Sequence, residues 1–214
     1  MEVELHLPYS SRLLKFPRII KLFLGNKKPT SHMRKLVYGI NITIDGVVDH
    51  HPQTPDDELL LYWAEILRSA GLLVYGRITY EMMVPYWPDI VKNPSGESDA
   101  DIEFAKVFDS IPKAVFSQSM TEVDDNNSVL YRTKIEDEIR RMKMEPGKDI
   151  WLGGVALPSH LIKLGLVDEF HFVIHPVLAG KGRNLPEDIS QTGRLKLVDT
   201  KVLKSGCVAL QYST

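Results

Sequence analysis

The sequence predicts an α/β domain: a central mixed, mainly parallel sheet flanked by helices, with antiparallel strands at its C-terminal end. Three observations carry this. Short apolar runs alternate with segments of helical period from Lys35 to about Leu164. Several of those runs end in Gly or Ser at a turn that opens a helix. After Gly165 the helical segments stop, and three strand-like runs follow, the last two joined by Ser205-Gly206.

In chain order, Lys35 to Thr43 reads as a strand, Asp45-Gly46 as a turn, and Val47-Val48 as the residues that leave it. Thr54-Pro55-Asp56-Asp57 reads as a helix start, with Thr54 as N-cap and Pro55 in the first turn. Leu59, Tyr62, Trp63, Ile66 and Leu67 recur at helical spacing, and Gly71 is the expected stop. Leu72 to Tyr75 is a strand, and Gly76-Arg77 opens another helix. Tyr86-Trp87-Pro88 reads as loop packing or a lid, and Val91 to Asp101 as a polar loop. A helix through Ile102, Phe104, Ala105, Val107 and Phe108 leads to strands at Lys113 to Phe116 and Val129 to Arg132. A charged helix from Lys134 to about Met144 precedes a strand at Ile150 to Leu152, then Gly153-Gly154 and a helix to about Leu164. Glu169 to Val177, Leu195 to Leu203 and Cys207 to Tyr212 are the closing strands.

Composition narrows the function classes. A chain of 214 residues, 43% hydrophobic and 25% charged, has a globular balance and enough length to bury its own core. A formal charge of -2 gives no general attraction to nucleic acid or anionic membranes. No apolar run reaches the roughly 18 residues of a membrane span. The single cysteine, Cys207, sits in an apolar run and reads as a buried thiol; without an intrachain disulfide the chain suits a reducing, cytoplasmic compartment. Residues 1–32 differ in character: Arg12, Lys15, Arg18, Lys21, Lys27 and Lys28 stand against Glu2 and Glu4, and Pro17 interrupts the apolar run. They are expected to be a basic extension to a domain at 33–214. No metal is expected: His50-His51 lack partners at ligand spacing, and His171 and His175 lie roughly 13 Å apart along a strand.

Three segments carry candidate chemistry. In Val74-Tyr75-Gly76-Arg77-Ile78-Thr79-Tyr80-Glu81 a strand delivers a glycine, then a guanidinium and a hydroxyl on the first turn of a helix. Unpaired N–H groups, a positive dipole end and a planar fork of donors suit a phosphate. In Ile150-Trp151-Leu152-Gly153-Gly154-Val155-Ala156 two glycines open a helix, which suits either close approach of a pyrophosphate or tight strand–helix packing. In Ala114-Val115-Phe116-Ser117-Gln118-Ser119 a strand ends in small polar residues, either a polar turn or one wall of a crevice. Each segment alone has a plain packing explanation.

Together they resemble a known superfamily. Gly76-Arg77-Ile78-Thr79-Tyr80-Glu81 is similar to the G-R-x-T-[WY]-E segment of dihydrofolate reductases, Phe116-Ser117-Gln118 to the strand-end serine, and Gly153-Gly154 to the second glycine pair. The resemblance is nearest the reductase domain of the bifunctional riboflavin-biosynthesis deaminase–reductase and its stand-alone relatives. Asn41-Ile42-Thr43-Ile44-Asp45-Gly46, Gly165-Leu166-Val167-Asp168-Glu169 and Pro176-Val177-Leu178-Ala179-Gly180-Lys181-Gly182 carry it. The resemblance implies a dihydrofolate-reductase-like fold, NADPH as cofactor, a homodimer, and hydride transfer to a pyrimidine- or pterin-like heterocycle, as in 5-amino-6-(5-phosphoribosylamino)uracil reduction. It assigns the cofactor to Gly76, Arg77, Thr79, Ser117, Gln118, Gly153, Gly154 and Val155. It assigns the substrate to Asn41, Thr43 and Asp45, with Asp45 as the candidate catalytic acid if burial raises its pKa; Trp63, on the helical face before Gly71, reads either as core or as a further substrate-binding residue facing the crevice. Dihydrofolate reductases carry a carboxylate on the preceding helix; a gapless count from Gly76 places Leu60 there, which argues against dihydrofolate as substrate. A protein that binds NADPH without catalysis is the other alternative.

Overall fold

The computed structural model describes residues 33–49, 56–185 and 193–214. The basic extension, His50-His51, Thr54 and Pro55 lie outside the described residues. β1 (Leu36–Thr43) leads through the Asp45-Gly46 turn to α1 (Asp57–Leu67). β2 (Ala70–Gly76) is followed by α2 (Arg77–Met83), α3 (Tyr86–Lys92) and α4 (Asp99–Ser110). β3 (Lys113–Phe116), β4 (Ser128–Tyr131), α5 (Ile135–Met144), β5 (Asp149–Leu152) and α6 (Ala156–Lys163) come next. β6 (Glu169–His175), β7 (Lys196–Val202) and β8 (Val208–Ser213) complete the sequence of elements.

These strands form one sheet in the order β4-β3-β2-β5-β1-β6-β8-β7. Pairings from β4 to β6 are parallel, and those of β8 with β6 and β7 are antiparallel. The mixed sheet expected from the sequence is the one observed. Strand alternation sends successive side chains to opposite faces. Val37, Leu73, Tyr75, Val115 and Trp151 face one core with α1 and α4 (Ala64, Phe104, Phe108). Leu36, Tyr38, Val74, Ile150 and Leu152 face another core with α5 and α6 (Ile139, Met142, Leu161).

Three local expectations are corrected. The N-cap of α1 is Asp56, whose carboxylate accepts from Leu59 N–H at 2.7 Å. Gly71 does not stop that helix: the C-cap is Arg68, and Gly71 lies in β2, where a Cβ would stand 2.9 Å from Lys148 Cβ. The segment expected to be loop contains α3, with Pro88 in its first turn where no N–H is needed, and α4 starts earlier than expected. Ser98 caps α4 through a reciprocal box with Asp101.

Candidate functional site

The parallel strands β2, β3 and β5 end side by side: Gly76 pairs with Phe116, and Val74 with Leu152. A cavity of about 690 Å³ opens over these tips and over β1. Such a crevice at the carboxyl ends of parallel strands is where ligands bind in open α/β sheets. One end is polar, built by Gly76, Arg77 and Thr79 after β2, Ser117 and Ser119 after β3, and Gly153, Gly154 and Val155 after β5. The middle is framed by Gly39, Asn41, Trp63 and Trp151, with Asp49 and Arg183 also on the wall.

At the polar end, Arg77 opens α2 behind Gly76, whose extended backbone supplies no side-chain cap. Its guanidinium pairs with Glu81 one turn on, at 2.7 Å, and both side chains are about half exposed (44% and 49%). Ser117 Oγ accepts from the N–H groups of Ser119 and Met120 at 3.2 and 3.1 Å, which bends the chain so that both serines reach the cavity. Gln118, assigned to the cofactor by resemblance, turns the other way and donates to the carbonyl of Arg132 at 2.8 Å. Ser119, which no assignment included, takes its place on the wall. Gly154 has a positive φ of 87°, and a Cβ there would stand 2.3 Å from Thr79 Oγ1. The glycine thus serves packing as well as access, because Thr79 sits directly against it. Tyr38, fully buried, donates its hydroxyl to Gly154 O at 2.9 Å and fixes that joint.

In the middle, Gly39 keeps space for two indoles: a Cβ would meet Trp63 at 3.0 Å and Trp151 at 3.2 Å. Trp63 Nε1 donates to Asn41 Oδ1 at 3.0 Å, so these two expected substrate residues hold each other in place. Trp151 lies over His171, with ring centroids 4.9 Å apart. Asp49 accepts from Arg183 N–H at 2.9 Å, and Val48 N–H donates to Arg183 O at 2.9 Å, so the loop after Gly182 folds back onto the return of the Asp45-Gly46 turn. Asp49 and Arg183 were missed in the sequence. Their one signal was position: an acid just after the return strand and an arginine just after a glycine-rich segment.

Thr43 and Asp45 are not on the cavity wall. Thr43 is buried; its hydroxyl donates to Asp45 at 2.6 Å and accepts from Val47 N–H at 2.9 Å. The Asp45 carboxylate also accepts from Gly180 N–H at 2.7 Å and Ala179 N–H at 3.1 Å. The Thr43 hydroxyl first, then those two amides, lower its pKa to about 2. The acid role needed a shift upward through burial; the observed shift is downward, because three donors stabilise the anion. At neutral pH this group holds no proton to give.

On α1 the cavity is met by Trp63 and Leu67. Leu60 is buried in the core, Glu58 accepts from Lys204 N–H, and Glu65 faces Lys201. Cys207 is buried beside His175, Sγ to Nδ1 3.5 Å. Among the described residues no three His, Cys, Asp or Glu gather into a metal site, and no helix is long and apolar enough to cross a membrane.

Residues 34–209 match the family model of the RibD C-terminal domain. The chain belongs to this family. YyaP, an uncharacterised protein of Bacillus subtilis (strain 168), is 34% identical over 183 residues, covering 84% of this chain and 94% of YyaP. Among solved structures, the chain is similar to a protein provisionally assigned to riboflavin biosynthesis in Shewanella sp. PV-4, with a TM-score of 0.64, 18% identity, and coverage of 84% of this chain and 98% of that one. It is also similar to a diaminohydroxyphosphoribosylaminopyrimidine deaminase/5-amino-6-(5-phosphoribosylamino)uracil reductase of Thermotoga maritima, with a TM-score of 0.57, 16% identity, and coverage of 85% of this chain and 56% of that one. These two likenesses establish a shared dihydrofolate-reductase-like fold.

Proposed function

We propose that this RibD C-terminal domain protein is an NADPH-dependent reductase that transfers a hydride to a pyrimidine- or pterin-like small molecule. One observation carries the reading: three strand tips and β1 converge on a single cavity that is polar and hydroxyl-rich at one end and aromatic in the middle. The donor set suits the cofactor. Arg77 offers a planar fork and Ser117 and Ser119 offer hydroxyls to a 2′-phosphate. Gly76, Thr79, Gly153, Gly154 and Val155 leave backbone and hydroxyl donors for a diphosphate, and neither α2 nor α6 has a side-chain cap on its first N–H groups. When bound, NADPH supplies the hydride.

The remaining work falls to the chain. Trp63 and Trp151 exclude water from the middle of the cavity and offer flat faces to a heterocycle. Asn41, fixed by Trp63, and Asp49 orient polar edges of that ring. Asp45 clamps the Ala179–Gly180 loop instead of meeting substrate. The name of the Thermotoga maritima relative supports a ribosylaminopyrimidine-type substrate class. Dihydrofolate is disfavoured because α1 contributes Trp63 and Leu67, and no carboxylate, to the wall. By resemblance we assign the assembly to a homodimer, and from composition, charge and cysteine usage we assign the extension to 1–32, the reductase to residues 33–214 and the location to the cytoplasm. Incubating the protein with NADPH and a heterocycle panel, dihydrofolate included, tests the reading through loss of cofactor absorbance. Turnover of an oxidised pyrimidine or pterin supports it. Saturable NADPH binding with no turnover of any member identifies a non-catalytic binding protein instead.

A further inference from the structure

Among the described residues, the cavity wall carries two cationic side chains, Arg77 and Arg183. In the reductase reading Arg77 meets the 2′-phosphate, which leaves the doubly charged diphosphate with neutral partners alone: Gly76, Thr79, Gly153, Gly154 and Val155. The starts of the short helices α2 and α6 bring partial positive charge there, but no full charge. A dianion taken out of water is held far better with a cation beside it.

Arg183 is delivered to the wall by a loop that two carboxylates staple down. Asp45 takes the N–H groups of Ala179 and Gly180 at one end. Asp49 takes the Arg183 N–H at the other, at 2.9 Å, and Arg183 O accepts from Val48 N–H. The next residue, Asn184, bridges to Val47. Gly182 has a φ of 141°, and a Cβ there would stand 2.4 Å from Val47 Cγ1 and 2.6 Å from Asp49 Oδ2, so the loop closes this tightly only around glycine. The Arg183 backbone is thus bonded on both sides, and its partly buried side chain lies on the cavity wall.

The charge of Arg183 is felt at the glycine pair. The Tyr38 hydroxyl donates to Gly154 O at 2.9 Å. Burial pushes the Tyr38 pKa up, and the positive charge of Arg183 opposes that shift. The guanidinium therefore stands within electrostatic range of the Tyr38–Gly154 bond, coming from the loop after β6, whereas Arg77 comes from the turn of α2 that carries Thr79. We propose that Arg183 is the cation that binds the diphosphate of the dinucleotide, held in place by the loop that Asp45 and Asp49 staple. The proposal rests on the reductase reading of the cavity and adds a residue to it. Arg183 already makes a further interaction of its own, so the diphosphate competes for its guanidinium as the 2′-phosphate competes with Glu81 for Arg77.

Calorimetric titration of the full chain tests it with three probes: NADP+, NAD+ and adenosine 2′-phosphate, which has no diphosphate. Arg183→Ala is expected to weaken NADP+ and NAD+ by the same factor, about tenfold or more, and to leave adenosine 2′-phosphate unchanged. Arg77→Ala is expected to give the other pattern, with NADP+ and adenosine 2′-phosphate weakened and NAD+ retained. Arg183→Gln provides a second lesion should Arg183→Ala not fold. Unchanged NADP+ and NAD+ affinities in a folded Arg183 variant overturn the proposal. So does an equal loss for adenosine 2′-phosphate, which marks a general effect on the fold. A loss confined to uridine 5′-phosphate, titrated into the NADP+ complex, overturns it too and assigns Arg183 to a substrate phosphate. Wild-type protein that binds none of the three adenosine probes removes the dinucleotide reading itself, whereas wild-type binding with an unaffected Arg183 variant removes this assignment alone.

Discussion

Arg77 stands half exposed with its guanidinium on Glu81, so a 2′-phosphate must compete for it at the cavity's polar end. Charge-assisted hydrogen bonds contribute about 1.5–3 kcal/mol each. Arg77→Ala is therefore expected to weaken NADPH roughly ten- to hundredfold and NADH hardly at all, since only NADPH has the phosphate to lose. Parallel calorimetric titrations check this, and equal losses remove Arg77 from the phosphate. Asp45 makes a different prediction. Its folded pKa of about 2 lies below the ordinary 3.8, so its contribution is complete above the ordinary value and lost as pH falls through the folded one. The protection of the Ala179 and Gly180 amides, measured as observed exchange against the intrinsic rate at each pH, should fall in wild type only on acidification below about pH 4, and be low in Asp45→Asn already at neutral pH. The sequence made the place of Arg77, Thr79 and Ser117 on the cavity wall legible because a strand end fixes it. Gln118 and Asp45 lie off the cavity wall for a geometric reason. Two hydrogen bonds to Ser117 Oγ turn the chain and swap Gln118 for Ser119, and donors from a loop 134 and 135 residues away claim the Asp45 carboxylate. Asp49 and Arg183 become functional candidates only when that loop folds back, which no local pattern announces.

At the level of elements, the strand–glycine–helix joints decide whether the site forms. Tyr38 from β1, Gly154 after β5 and Thr79 on α2 interlock at one point. Gly154→Ala adds a methyl 2.3 Å from Thr79 Oγ1 at a φ of 87°. A loss of more than about 1 kcal/mol is expected, seen as a melting temperature lower by at least roughly 2–4 °C. An unchanged melting temperature would show that this joint relaxes freely. The strands were legible because apolar runs between helical segments have one packing solution, a sheet covered on both faces. α3 was not, since Tyr86-Trp87-Pro88 carries loop-like residues, and its helix owes its place to Trp87 packing on Phe104. Gly71 was misread because glycine after a helix suits a C-cap, whereas here Lys148 crowds the strand. Thr54 was read as the cap of α1 because it precedes Pro55, whereas the side chain that accepts from Leu59 N–H is the Asp56 carboxylate.

The whole molecule carries two buried histidines on one face of β6. His171 and His175 are 7% and 4% exposed, and among the described residues His171 Nδ1 and His175 Nε2 have no hydrogen-bond partner. Burial lowers both pKa values, against weaker opposing effects of Glu169 and Asp56. A folded pKa below the unfolded value means that the unfolded chain binds protons first. Stability is thus complete above the ordinary histidine pKa of about 6.5 and declines as pH falls through it. Thermal unfolding should shift downward from about pH 7.5 to about pH 5.5, and His171→Gln with His175→Gln should flatten that slope. An equal slope in the double variant would assign the pH dependence to other groups. The account's central claim is that one cavity over the tips of β2, β3 and β5 grips a phosphorylated dinucleotide. A crystal structure of the protein with NADP+ tests it most directly. The account predicts the 2′-phosphate in hydrogen-bond contact with Arg77 and the Ser117–Ser119 turn, the diphosphate beside Gly153 and Gly154, and the nicotinamide near Gly39 and Trp63. A cofactor bound elsewhere, or its 2′-phosphate in contact with none of those groups, would contradict it.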